Sequence, residues 1–257
     1  MIEKPFLLSI KNMAPSLKDW FMLYSTPLFH INSKNQRELI GSGTFINFNN
    51  HKVLITARHV ITDYPYDKIY VPYRSIPRLI HVSGTCLSSL YPLSVTKDSI
   101  DIACFVLDSK CLSDIMVDYK FLPAEFIAFD HYPSQHNIYS AVGVPHRKAK
   151  YSKADIGDIS MVLQNILNPG SMQWAYKDEF NSNDHIIMDY GRKMLNDKTY
   201  DLVKTPRLDG MSGGSLWFID PEIEFYIDRP NVKLVGILTQ YCTQHIYATN
   251  IKHLNNL

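Results

Sequence analysis

The chain has 257 residues, a net charge of +1, 46% hydrophobic residues and 20% charged residues, the composition of a folded globular protein. That length suits one large domain or two small ones. The near-neutral balance, without a long Lys/Arg run, argues against bulk attraction to nucleic acid or acidic membranes, and no stretch reaches the roughly 18 apolar residues of a spanning helix.

In chain order, the apolar run at Met1–Leu8 is too short for a signal peptide. Ser16 is placed to cap a short helix over Leu17–Leu23, with Trp20, Phe21 and Tyr24 near one face, so residues 1–24 read as a helical appendage. Pro27–Asn32 reads as a strand, Ser33-Lys34-Asn35 as a turn and Leu39–Phe48 as the next strand. Asn49-Asn50 then forms a hairpin turn into Lys52–Thr56. Lys68–Tyr73, Leu79–Gly84 and Ile102–Leu107 continue the series of short strands. Short strands with frequent turn signals favour a barrel or sandwich over βαβ units. Pro123–Asp130 reads as a crossing between two halves, and Ile138–Val144 opens a second set of strands. From His146 to Thr205 the pattern is weak. It holds a polar run at Tyr176–Asp184, a strand at His185–Tyr190 and a charged loop or short helix at Asp189–Tyr200, and substrate-facing loops are expected there. Leu216–Ile219 and Lys233–Thr239 close the second set, and Ile251–Leu257 reads as a terminal helical turn.

Cys86, Cys104, Cys111 and Cys242 show no spaced disulfide framework, so a reducing, cytoplasmic compartment is expected. Cys104 lies within an apolar strand and reads as a buried thiol. There is no H-E-x-x-H, paired C-x-x-C or P-loop, so no metal or other cofactor is expected. Gly41-Ser42-Gly43 is a lone G-x-G inside a strand, better explained by close backbone packing beside the functional site than by a phosphate site.

The chemistry centres on Gly210-Met211-Ser212-Gly213-Gly214-Ser215-Leu216, one serine among three glycines before an apolar run. A glycine two residues before the serine permits φ > 0, and two backbone N–H groups can then point into one small volume, as an oxyanion site requires. A serine hydroxyl is a weak nucleophile unless a base adjoins it. His59 ends the apolar strand Val53–Thr56 after the small residue Ala57, whereas His131, His136 and His146 sit in polar loops and read as surface residues. Asp101 directly abuts the apolar strand Ile102-Ala103-Cys104-Phe105, unlike Asp98, Asp108, Asp63 and Asp67. A carboxylate buried there needs a partner such as an imidazole N–H.

The order His59, Asp101, Ser212, in the settings T-A-x-H, D-I-A and G-x-S-G-G, resembles the chymotrypsin/trypsin-like serine protease family, over roughly residues 25–250. Lys233–Leu238 resembles the family's strand after the nucleophile, and Gly143-Val144-Pro145 the G-x-P segment of its bacterial members. The resemblance implies an all-β chain of two packed antiparallel six-stranded barrels, residues 25–125 and 126–257, with short terminal helices. It implies a serine endopeptidase acting on a protein or peptide, with any regulatory protein partner unidentified, while the charge balance leaves no nucleic-acid or membrane partner expected. Ser212 would be the nucleophile, His59 the base and Asp101 its orienting acid, with the N–H groups of Gly210 and Ser212 as the oxyanion hole. Alignment on the same turn puts Pro206 at the base of the specificity pocket, Thr239 beside it and Tyr241 on its wall. Tyr241 would narrow the pocket towards small or medium apolar residues, and Asp209 is close in sequence to the pocket base. Met211 stands where secreted members carry the aspartate that receives a newly cut N-terminus, and no activation site is recognisable, so that switch is not expected. Two other readings stay open. One is a protease-fold binding or scaffold module without activity. The other is an α/β-hydrolase esterase, since Gly210–Gly214 also satisfies G-x-S-x-G with Asp228 and His245 following in order. That turn must lead into a helix, whereas Leu216–Ile219 reads as a strand.

Overall fold

The structure is a computed structural model that describes residues 16–89, 100–134, 137–145, 160–165, 183–190, 193–195, 202–204, 207–220, 230–241 and 245–257. Pro206, Asp98, Asp228, His136, His146 and Cys242, and most of the stretch between His146 and Thr205, lie outside the described residues.

A helix, α1, has its described part at 16–22. Leu17 and Phe21, four residues apart and so one above the other on one face, are fully buried. Burial of this kind stabilises by about 1.5–3 kcal/mol per large apolar side chain. Seven strands follow: β1 (Ser25–Ile31), β2 (Arg37–Phe48), β3 (His51–Thr56), β4 (Ile69–Pro72), β5 (Leu79–His81), β6 (Gly84–Ser88) and β7 (Ala103–Leu107). They form one antiparallel sheet in the order β5-β4-β1-β2-β3-β7-β6. Val53, Leu54, Ile55 and Thr56 of β3 are buried at consecutive positions, so both faces of that strand are covered. The β2–β3 turn is Asn49-Asn50, both at positive φ (47° and 63°), which asparagine tolerates.

A five-residue helix, α2 (Arg58–Thr62), leaves the end of β3, and α3 (Ser109–Asp118) leaves the end of β7. The sequence reading missed α3. Asp108 caps it, accepting from the N–H groups of Lys110 and Cys111, and Cys111 and Ile115 are buried four residues apart.

The second sheet contains β8 (Ile138–Gly143), β9 (Ser160–Asn165) and β10 (His185–Asp189), with a separate two-stranded ladder of β11 (Lys193–Leu195) and β12 (Leu202–Lys204) lying between them and the remaining strands in sequence. It is completed by β13 (Ser215–Ile219), β14 (Val232–Tyr241) and β15 (His245–Asn250), in the order β10-β15-β14-β13-β8-β9. Each of its pairings is antiparallel. Two curled antiparallel sheets with few helices are therefore the architecture, as expected, and among the described residues the first carries seven strands where six were anticipated. A 3₁₀ turn at Ile251–Asn256 ends the chain.

The crossing segment does run between the halves: Leu122 bridges to Ile46 of the first sheet and Ile127 to Leu234 of the second. Aromatic rings reinforce this seam. Trp217 of β13 meets Phe21 (centroids 4.7 Å apart) and Trp20 (5.5 Å), and Trp20 also meets Tyr24 and Phe126. Among the described residues, no helix is long and apolar enough to cross a membrane.

Candidate active site

The β3–β7 pairing sets the geometry of the first two residues. The ladder ends at Thr56↔Ala103, so Asp101 lies just beyond one strand end and His59 just beyond the other. The His59 N–H donates to Asp101 Oδ1 (2.9 Å), and the ring Nδ1–H donates to Oδ2 (2.6 Å). A carboxylate only accepts, so Nδ1 carries the proton and Nε2 is left as the basic nitrogen. Asp101 is held from the second sheet as well, its N–H donating to Thr249 Oγ1 (3.2 Å). Burial pulls the His59 pKa down, but the hydrogen bond and charge of Asp101, aided by Asp63, outweigh it and hold the pKa above 6.5. The pair is not sealed from water, since the side chains are 42% and 22% exposed.

Ser212 sits in a turn that two glycines make possible. Gly210 has φ 92° and Gly213 φ 81°, a region other residues enter only with strain. The turn is closed by Met211 N–H to Leu208 O (2.9 Å) and Gly214 N–H to Met211 O (2.8 Å). It is clamped to β14 by Gly213 N–H to Leu238 O (2.7 Å) and Leu238 N–H to Gly214 O (2.8 Å). A Cβ on Gly213 would fall 2.1 Å from Thr56 Oγ1 and 3.0 Å from Ala57 N. The turn therefore lies directly against the backbone that leads into His59. Among the described residues, the N–H groups of Gly210 and Ser212 have no acceptor, on either side of the engaged Met211 N–H.

The Ser212 hydroxyl donates to Thr239 O (3.2 Å), its one hydrogen bond among the described residues. Thr239 is available for this because β14 and β15 slip register between Leu238 and Gln240. A residue at such a bulge is unpaired and its groups are re-aimed. Tyr241 ends β14 opposite Ile246. Asp209 pairs with Arg207 (Nε–Oδ2 2.8 Å) at the surface.

Among the described residues, the competing carboxylates make no hydrogen bond to the His59 ring: Asp108 caps α3, and Asp63 closes α2 with its backbone N–H on His59 O. His131 corrects a surface assignment. It is half-buried, its ring lies on Phe218 (4.8 Å) and shares a 2.8 Å hydrogen bond with the Tyr139 hydroxyl, and burial pushes its pKa down to about 4. The α/β-hydrolase reading is overturned, because the Ser212 turn runs into strand β13 of an antiparallel sheet. Among the described residues, no cluster of His, Cys, Asp or Glu is arranged to hold a metal ion, and Cys86, Cys104 and Cys111 are free thiols. Of three residues that secure the site, Ser42 and Thr56 lie in the G-x-G and T-A-x-H stretches, whereas Thr249 carried no sequence signal beyond being small and polar. Their role comes from contacts between strands far apart in sequence.

No family model matches the sequence, and no similar curated protein is found. Solved structures do match. The scabies mite inactivated protease paralogue S-I1 aligns at 14% identity and a TM-score of 0.58, covering 91% of this chain and 92% of that one. Neuropsin, a serine protease expressed in the limbic system of mouse brain, aligns at 15% identity and a TM-score of 0.54, covering 91% and 92%. At these identities the likeness carries the fold alone, the double barrel of chymotrypsin-like serine proteases.

Proposed function

We propose that the chain is a serine endopeptidase that cleaves peptide bonds through an acyl-enzyme, with Ser212 as nucleophile, His59 as base and Asp101 as the group that orients it. The observation that carries this reading is the two-point grip of Asp101 on His59, beside a serine turn with two unengaged N–H groups. In the proposed reaction His59 Nε2 takes the Ser212 proton as Oγ attacks the scissile carbonyl. The Gly210 and Ser212 N–H groups receive the developing oxyanion, and the imidazolium, stabilised by Asp101, returns the proton to the leaving amine. Water then repeats the sequence on the ester. The hydroxyl must first leave Thr239 O, a rotation about one bond. Looser contacts before substrate binds are common in such sites. Thr239 and Tyr241, on the strand beside the nucleophile, and Pro206 are the proposed substrate-facing residues. A reducing, cytoplasmic setting belongs to the same proposal, supported by the three free thiols.

A second reading, a protease-fold binding module without activity, is favoured by the Ser212–Thr239 bond, in which the hydroxyl donates to a backbone carbonyl and not to His59. A fluorophosphonate probe separates the two. Labelling of the wild type, lost in Ser212→Ala, is the expected result. A wild type that stays unlabelled at high probe concentration, or equal labelling of the variant, would remove the enzyme reading.

A further inference from the structure

Ser42, in β2 of the first sheet, has every polar group engaged, and three of its four bonds reach the second half of the molecule. Its N–H donates to Ser212 O (2.7 Å), and its hydroxyl donates to Gly210 O (3.0 Å) while accepting from Val144 N–H (2.9 Å). Its own carbonyl accepts from Thr56 Oγ1 (2.8 Å), three residues before His59. The residue is 1% exposed, so water cannot replace these partners. Gly41 lets the strand come this close, since a Cβ there would lie 2.8 Å from Ser212 O.

The two carbonyls that Ser42 holds belong to Gly210 and Ser212, the residues whose N–H groups are unengaged. A carbonyl fixed at each residue limits rotation of the backbone on both sides of Met211. We propose that Ser42 is a positioning residue that locks the oxyanion turn in its donating shape. This proposal rests on the serine-hydrolase reading of Ser212. Met211, at the middle of the turn, is buried among apolar side chains, with its backbone and side chain 3.2 Å from where a Gly143 Cβ would be. In that setting the Ser42 hydroxyl is the polar fastener between the turn, the end of β8 and the first sheet.

The test uses Ser42→Ala, which deletes the hydroxyl and keeps the backbone bond to Ser212, and Ser42→Cys, which keeps a group of similar size that donates and accepts weakly. Fluorophosphonate labelling of Ser212 in Ser42→Ala should slow by about 10- to 100-fold, the scale of a misplaced catalytic group, with Ser42→Cys in between. Carbethoxylation of His59 by diethyl pyrocarbonate, read by peptide mass, should keep its wild-type rate, because the His59–Asp101 pair does not involve Ser42. Amide exchange over residues 208–214 should quicken in Ser42→Ala, whereas exchange over β3 should not. Labelling of Ser42→Ala at the wild-type rate, or slowed only in proportion to an unfolded fraction seen by circular dichroism, would overturn the proposal. If Ser42→Ala does not fold, Ser42→Cys alone must show slowed labelling and faster exchange. A wild type that takes no probe would defeat the serine-hydrolase reading, while exchange at 208–214 would still decide whether Ser42 holds the turn.

Discussion

The His59 ring is under two opposed influences, and their balance is measurable. Burial disfavours its charge, while Asp101 and Asp63 favour it and prevail. A base must be neutral to act, so the acid limb of the pH–rate profile should lie above 6.5, with activity falling as pH drops through it. Asp101→Asn removes the favourable charge but leaves burial in place, so the limb should move to lower pH. The asparagine can also hold the wrong tautomer, and the corresponding change in a well-studied enzyme of this fold lowers turnover about 10⁴-fold. We therefore expect a loss of roughly three to four orders of magnitude in Asp101→Asn. Asp63→Asn, in which the charge bears on the ring without a hydrogen bond, should change activity by less than about tenfold. Equal losses in the two variants would dispute the assignment. The stability linkage has the opposite slope: with a folded pKa above 6.5, the contribution of the pair is complete below pH 6.5 and is lost as pH rises through the raised value. Cys104 gives a separate check at this scale. Burial first, and the neighbouring Cys86 second, push its thiol up to about 12, so it should stay silent to a thiol reagent at pH 8 in the native protein and react once unfolded.

At the scale of elements, the decisive contacts are the close approaches of backbone at the Ser212 turn. Gly213→Ala would force a side chain into a positive-φ position with Ser42 O 2.2 Å and Thr56 Oγ1 2.1 Å away. Strain and overpacking together should cost at least about 2 kcal/mol, lowering Tm by roughly 4 °C or more. An unchanged melting curve would mean that the turn is looser than these contacts imply. Much at this scale was legible in the sequence. Apolar runs ending in His59 and starting after Asp101 gave β3 and β7, the asparagine pair gave the hairpin, and the glycines around Ser212 gave the turn. Glycines 41 and 43 signalled close packing beside the site but not the bonds of Ser42, which looks like any strand serine until β2 is seen against residue 212. Helix α3 was missed because only Cys111 and Ile115 are buried on it, while Met116 and Val117 are exposed, so no long apolar stripe marks it. Strands β6, β9, β11, β12 and β15 were missed too: Gly84 and two exposed or half-buried faces weaken β6, β11 lies in the charged stretch read as a loop or short helix, and His245, Thr249 and Asn250, though buried, read as polar in β15.

Across the whole molecule, the seam between the halves is stitched by α1, the crossing segment and Trp217. Phe21 is fully buried against Trp217, so Phe21→Ala should cost about 3–5 kcal/mol and lower Tm by roughly 6–15 °C. A variant that melts with the wild type would mean that α1 is a passive appendage. The compartment assignment is tested on the whole chain as well: four thiols should titrate in the unfolded, unreduced protein, and two disulfides would place it elsewhere. Met211 has a consequence of its own. Where an acid would tie the turn to a cation, and so make it answer to salt and to the protonation of its partner, a buried thioether carries no charge and is blind to both. Its hold is that of apolar surface kept from water, which weakens as the solution is cooled. Labelling of Ser212, once corrected for the ordinary slowing of chemistry, should therefore vary little between low and high salt and fall off disproportionately near freezing.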